Sequence, residues 1–442
     1  MYSYEELKNG RGPLLYQRAK QLFPGGTQLF SKRGELFSPQ LWPAYYCRAE
    51  GCHLWDLDQR KFLDMSIMGV GAAVLGYADA EVDQAVRKGI ASGITSTLNC
   101  PEEVELAELL IELHPWAEQV RFARCGGEAI MVAIRIARAA TGRDVVLFNG
   151  YHGWGDWYLA ANLGETSALD GNLMPGLPPH GIPRSLQGTA IPVAFEDQAD
   201  LEQKLQYYAG RVAAVIIEPA RGKMPVKAEL AYLKAATSKA GAVLIFDEIT
   251  SGFRATIGGI HRLLEINPDI AVFAKGIANG YPLSAVIGRR SVMEAATKTF
   301  ISSTNWSERL GPIAALATIK KFMTDQVAAK INTTGRAVKK IWEEAARQAQ
   351  LEITVSGLDS LPNFSFAYEN AGEISTFFTE QMLSHGILGF RQFKPSFAHR
   401  DEDLKRYQNA CNEIFSALQS SGHRDLPVEE IAHSGFYRLA KE

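Results

Sequence analysis

Val243-Leu244-Ile245-Phe246-Asp247-Glu248-Ile249, followed some twenty residues later by Ile270-Ala271-Val272-Phe273-Ala274-Lys275-Gly276, decides how this chain is read. Each stretch is a short apolar run closed by a charge, the way a parallel strand buried on both faces delivers one polar group at its carboxyl end. Outward from this pair, Val120-Arg121-Phe122-Ala123, Asp144-Val145-Val146-Leu147-Phe148, Ala213-Ala214-Val215-Ile216-Ile217 and Ala285-Val286-Ile287-Gly288 also read as strands. Helical periodicity separates them, so residues ~105 to 290 predict a wound α/β sheet with its site at the carboxyl strand ends.

An acid and a lysine on neighbouring strand ends suit a cofactor with a ring nitrogen and an aldehyde. Asp247 can pair with a protonated pyridine nitrogen and Lys275 can form a Schiff base with the aldehyde carbon. Pyridoxal 5'-phosphate is the candidate. Either residue alone would read as a helix cap or a solvated charge; the pair in this order carries the reading.

The remaining requirements of such a cofactor have candidates in order along the chain. Cys125-Gly126-Gly127-Glu128 turns from a strand into a helix, and amides at a helix start beside glycines make an anion cradle, which nominates Gly126 and Gly127. Tyr151 follows the strand ending at Phe148 and can lie flat on a pyridine ring, with Trp154 and Trp157 lining a pocket or packing. His152 either hydrogen-bonds near that ring or satisfies backbone. Glu218 ends another strand.

Composition bounds the rest. The chain has 442 residues, 46% hydrophobic and 21% charged, enough for two or three domains with ample core. A net charge of -3 and no long basic run exclude a polyanion-binding surface, so nucleic acid is not expected as a partner. The polar start Met1-Tyr2-Ser3-Tyr4-Glu5-Glu6 is unlike a signal peptide, and no apolar run approaches the ~20 residues that span a bilayer, so a cytoplasmic protein with no membrane partner is expected. Cys47, Cys52, Cys100, Cys125 and Cys411 form no Cys-x-x-Cys pair, and the histidines show no ligand spacing; packed reduced thiols and no metal are expected.

Residues 1 to about 40 read as a helix and a Pro-Gly-Gly loop, residues 45 to 64 as a meander of short strands, residues 163 to 191 as a long surface excursion, and Gly311 to Gln348 as one long helical stretch. Lys32, Arg33, Arg221, Arg254 and Arg391 are candidate holders of a substrate anion or ordinary surface cations.

The ordered motifs Phe23-Pro24-Gly25-Gly26, Gly51-Cys52-His53-Leu54-Trp55-Asp56-Leu57-Asp58, Gly126-Gly127-Glu128-Ala129, Tyr151-His152-Gly153, Glu218-Pro219, Phe246-Asp247-Glu248, Ala274-Lys275-Gly276-Ile277-Ala278-Asn279-Gly280 and Ser396-Phe397-Ala398-His399-Arg400-Asp401-Glu402-Asp403 span nearly the whole chain. The set resembles class III aminotransferases of pyridoxal-phosphate fold type I, nearest the glutamate-1-semialdehyde aminomutase branch. The resemblance implies a mostly parallel seven-stranded sheet in a large domain (66–312), with a smaller α+β domain built from the chain ends (1–65 and 313–442). It implies Lys275 as the Schiff-base lysine and proton shuttle, Asp247 as the pyridinium partner, and Tyr151 and Ile249 on the two ring faces. Gly126 and Gly127 fall at the phosphate and Glu218 near the cofactor and substrate. Thr304 matches a position that reaches the neighbouring subunit's cofactor phosphate, which implies a homodimer.

Departures from the family pattern bear on the reaction. Cys125-Gly126-Gly127 stands where the family has Ser-Gly-Thr, so the cradle leans on backbone amides. Lys32, with Arg33 beside it, stands where the mutase has a carboxylate-holding arginine. The segment from Arg289 to Glu308 is unlike the mutase's glycine-rich gating loop, and its Thr304-Asn305-Trp306-Ser307-Glu308 resembles the related transaminases. Transfer from an amino donor such as glutamate to a carbonyl acceptor is therefore expected, with an intramolecular 2,1-aminomutase as the alternative.

Overall fold

The computed structural model describes residues 1–173, 175–220, 222–424 and 426–434. They form two compact units, one made of Met1–Asp79 with the described residues from Ala329 onward, the other of Ala80–Ala328.

The first unit begins with helices Tyr4–Lys8 and Arg11–Leu22, so the single helix expected at the N-terminus is two. Ser3 caps the first: its hydroxyl accepts the Glu6 amide while the Glu6 carboxylate takes the Ser3 amide. Strands β1 (Tyr46–Glu50), β2 (His53–Asp56) and β3 (Lys61–Met65) follow as the expected antiparallel meander. Asp56 organises its turn, accepting the amides of Asp58 and Arg60 through one carboxylate oxygen.

The second unit holds a seven-stranded sheet. Its strands are β4 (Gln119–Ala123), β5 (Val145–Asn149), β6 (Ala190–Pro192), β7 (Val212–Ile217), β8 (Val243–Asp247), β9 (Ile270–Phe273) and β10 (Ser284–Gly288). The order is β4-β10-β9-β8-β7-β5-β6, with β10 alone antiparallel to its neighbours. Every residue of β7, β8, β9 and β10 is buried, as a sheet covered on both faces requires. Helix Gly126–Thr141 lays Ile130, Ala133, Ile134 and Ala137 on this sheet, in one core with Val146, Ile216, Ile245 and Val272.

Two expectations are corrected here. The stretch from Gly311 to Gln348 is two helices, Leu310–Thr324 and Val327–Gln348, parted at Gln326, whose φ of 51° no right-handed helix accommodates. The excursion 163–191 is not all surface: Leu169 is fully buried, and buried Asn162 accepts the Leu169 amide and donates to the Leu177 carbonyl. Met174, within it, lies outside the described residues.

The first unit closes with β11 (Ile353–Ser356), β12 (Asn363–Phe366) and β13 (Ile387–Gly389), β13 adding to β3 in parallel. Trp342, Phe364, Phe378 and Phe415 fill its core. The cysteines are free, with Cys52 and Cys411 buried but Cys47 and Cys125 exposed. Cys52 and His53, where sequence spacing gave no cluster, meet Asp403: the thiol lies 3.4 Å from one carboxylate oxygen and His53 Nε2 3.5 Å from the other. No helix among the described residues is long and apolar enough to cross a membrane.

Candidate active site

The charges that close β8 and follow β9 stand on adjacent parallel strands, with Asp247 opposite Val272. Asp247 is 3% exposed. Its Oδ1 accepts the Ile249 amide at 3.0 Å and its Oδ2 lies 2.8 Å from His152 Nδ1. His152 is itself buried, and its Nε2 lies 3.0 Å from the Asn149 carbonyl. Of the two roles offered for this histidine, the bond to backbone is present, and its other nitrogen meets the Asp247 carboxylate.

Lys275 opens a short 3-10 turn with φ 49°, a conformation a residue other than glycine adopts at a cost of roughly 1–3 kcal/mol. Its Nζ donates to the Thr250 hydroxyl at 2.8 Å. Thr250 was not singled out in the sequence, although its place three residues after Asp247 puts it at the same strand end.

The turn after β5 is built around Glu218, which directly follows β7. The Glu218 amide donates to the Asn149 carbonyl at 3.1 Å, and the carboxylate accepts the Tyr151 amide at 2.8 Å. Gly150 between them has φ 111°, and a Cβ there would stand 2.7 Å from a Glu218 oxygen, so only glycine fits. Tyr151 is 42% exposed, and burial of its hydroxyl end, with Asp247 and Glu218 nearby, raises its pKa. Trp157 packs in the core while Trp154 stands exposed.

Gly126 and Gly127 open the helix that Cys125 caps. Glu128 draws in the amides of Arg124 and Cys125, at 3.0 and 3.1 Å. The Gly126 amide has no acceptor among the described residues, and the Gly127 amide faces only the Cys125 sulfur, a weak acceptor. A Cβ on Gly126 would lie 2.8 Å from Ile249 Cδ1, and one on Gly127 would lie 3.4 Å from Trp154 Nε1. Contacts therefore join Gly126, Ile249, Asp247, His152, Tyr151 and Glu218 into one cluster, with Lys275 beside it on Thr250. Thr304 is not among these contacts; it is exposed, at the start of the turn Thr304–Ser307.

After the strand end, sequence reading missed a network in which Glu248, Ser251 and His261 are buried and Trp116 is partly buried. His261 Nδ1 lies 2.9 Å from Glu248 Oε1, Ser251 donates to Glu248 Oε2, and Trp116 Nε1 donates to His261 Nε2 at 3.2 Å. Burial pushes the Glu248 carboxyl up, but the bonds from His261 and Ser251 outweigh it and hold it below the usual range. Arg254, read as an anion holder or a surface cation, is 1% exposed, and burial brings its pKa down to about 10. Arg33 lies over the Phe30 ring and against Gly25, Lys32 is exposed, and Arg391 is partly buried over Phe390. Arg221 lies outside the described residues.

A mostly parallel sheet in this order is the architecture of the fold type I pyridoxal-phosphate transferases. The chain belongs to the class III aminotransferase family, whose model, described as Aminotransferase class-III, matches residues 38–415. It is 34% identical to the glutamate-1-semialdehyde 2,1-aminomutase of Thermomicrobium roseum, over 91% of this chain and 97% of that one. It is 30% identical to the 3-aminobutyryl-CoA aminotransferase of Cloacimonas acidaminovorans, over 94% and 99%. Among solved structures, the pyridoxal-phosphate internal aldimine form of the FumI protein of Sphingopyxis sp. MTA144 superposes with a TM-score of 0.85 at 25% identity, over 95% of this chain and 99% of that one. The chain is an enzyme of a pyridoxal-phosphate-dependent family, with small-molecule substrates.

Proposed function

We propose that this chain is an aminotransferase that moves an amino group from a small-molecule donor, with glutamate the first to test, to a carbonyl acceptor. Pyridoxal 5'-phosphate, when bound, supplies an electrophilic carbon and an electron-withdrawing ring. The residues around the strand ends fit it: a buried carboxylate for a ring N–H, under-satisfied amides at a helix start for a phosphate, and an amine for an aldehyde.

Lys275 would hold the cofactor through its amine and, once that amine is free, would move the proton at the substrate's α-carbon. Thr250 orients its Nζ through the 2.8 Å hydrogen bond. Asp247 keeps the ring nitrogen protonated, while His152 and the Ile249 amide hold the carboxylate in place. Gly126 and Gly127 would take the phosphate on their amides, and Tyr151 and Ile249 would lie against the ring. Glu218 fixes the Tyr151 backbone beside the cofactor and substrate. Thr304 reaches the phosphate of the neighbouring subunit in a cytoplasmic homodimer.

The observation that carries this reading is the placement of Asp247 and Lys275 at the carboxyl ends of adjacent parallel strands. Holoenzyme given nitrogen-labelled glutamate and a panel of carbonyl acceptors is expected to form 2-oxoglutarate and labelled product. Intramolecular amino transfer is the second reading, favoured by the 34% identity to the Thermomicrobium roseum aminomutase. Label that stays on one substrate skeleton and never exchanges with glutamate would establish it instead.

A further inference from the structure

Arg124 follows β4 and precedes Cys125, the residue that caps the cradle helix. Its backbone is fixed there, since its amide donates to Glu128 Oε2 at 3.0 Å. Its side chain reaches to a segment some 180 residues away. Nε donates to the Asn305 carbonyl at 2.6 Å, and Nη2 donates to the carbonyls of Trp306 at 2.7 Å and Glu308 at 2.8 Å. The Glu308 carboxylate lies 3.3 Å from the same Nη2 and also accepts the amides of Leu310 and Gly311, capping the next helix.

Ordinary packing does not call for this arginine. Its side chain is 12% exposed, its buried Nη1 has no hydrogen-bond partner among the described residues, and desolvation lowers its pKa. An incompletely satisfied buried cation opposes folding, and such local violations gather where function requires them. The rigid guanidinium fork matches several carbonyls at fixed angles, which a lysine cannot do. Among the described residues the turn is otherwise held by the backbone bonds Trp306 N to Ser303 O at 3.2 Å and Glu308 N to Asn305 O at 3.4 Å, by the Ser307 hydroxyl on the Thr304 carbonyl at 3.5 Å, and by Trp306 packing on the core, none of which ties down the Trp306 and Glu308 carbonyls. The Thr304 hydroxyl at the head of the turn is exposed and makes no hydrogen bond among the described residues.

We propose that Arg124 is a positioning residue that, from the edge of its own subunit's cofactor cradle, fixes the turn presenting Thr304 to the neighbouring subunit's cofactor phosphate. This rests on the reading of Thr304 given above. Each subunit then has one rigid piece bearing both its own cradle and its contribution to the other cradle. Loss of the guanidinium frees three carbonyls within four residues, and Thr304 with them.

The test is a double-mutant cycle on the rate of pyridoxal-phosphate release from holoenzyme, using Arg124→Met, Thr304→Val and both together. Thr304→Val is expected to speed release about tenfold or more, the size of one hydrogen bond to a charged group. Arg124→Met should match it, the double variant should be no faster than either single one, and Arg124→Lys should fall between Arg124→Met and the unaltered enzyme. Multiplying effects, or unchanged release in the arginine variants, would overturn the proposal. A merely structural arginine would lower the thermal midpoint of the apoenzyme and multiply with Thr304→Val. If Thr304→Val alone leaves release unchanged, the dimer reading of Thr304 fails, and the proposal with it.

Discussion

His152 Nδ1 lies 2.8 Å from Asp247 Oδ2, and the far nitrogen of the same ring lies 3.0 Å from the Asn149 carbonyl, so a carboxylate ending β8 is held from the end of β5. Asp247→Asn keeps the shape and removes the charge. It is expected to slow the half-reaction with an amino donor about 10²–10³-fold, the range for loss of a preorganised electrostatic contact. His152→Gln removes only the outer support and should cost about tenfold, near 1.4 kcal/mol. Single-turnover kinetics measure both; a larger loss in the histidine variant would contradict this ordering.

The two glycines of the cradle differ in what a methyl group would meet. At Gly126 it would press on Ile249 Cδ1 at 2.8 Å, whereas at Gly127 it would stand 3.4 Å from the exposed Trp154. Gly126→Ala must therefore displace a side chain bonded through its backbone to Asp247, at a cost of about 1–3 kcal/mol, while Gly127→Ala meets a ring that can swing away. Cofactor titration should show weaker binding for Gly126→Ala than for Gly127→Ala.

Glu248 is a matter of stability rather than chemistry. Glu248→Ala would strand His261 and Ser251 in a fully buried setting and is expected to destabilise the fold by about 3 kcal/mol or more. Glu248→Gln, which keeps an acceptor, should cost less. Urea unfolding of the holoenzyme variants compares the two.

Glu380 supplies a pH dependence. Burial raises its pKa from 4.5 to about 7, opposed by the Ser38 hydroxyl and reinforced by Glu429. The folded state therefore holds this proton more tightly than the unfolded chain. Its contribution is full below pH 4.5 and is lost as pH rises through about 7. Glu380→Gln should have little effect at acid pH and stabilise the protein by on the order of 1–3 kcal/mol above neutrality, read from thermal unfolding across pH. Equal effects at both ends of the range would contradict the assignment.

The sheet and its charged strand ends were legible because β8 and β9 are wholly apolar until their closing charge, a pattern that local sequence writes plainly. Arg254 was not legible. It follows the polar pair Thr250 and Ser251, and a charged residue in a polar stretch carries no local sign that it is 1% exposed. The break at Gln326 carries no glycine or proline to announce it. Glu248 with His261, and Arg124 with Asn305, are pairings made across the fold between residues with no shared motif. Thr250 had a signal in its distance from Asp247, but only the position of Lys275 gave that distance a meaning.

The central claim is that the amine at the head of the turn after β9 carries the cofactor. Borohydride reduction of the holoenzyme, followed by proteolysis and mass mapping, tests it most directly. A phosphopyridoxyl mass on the peptide containing Lys275, absent in Lys275→Ala, is the expected result; an adduct on another lysine, or none at all, would contradict the account.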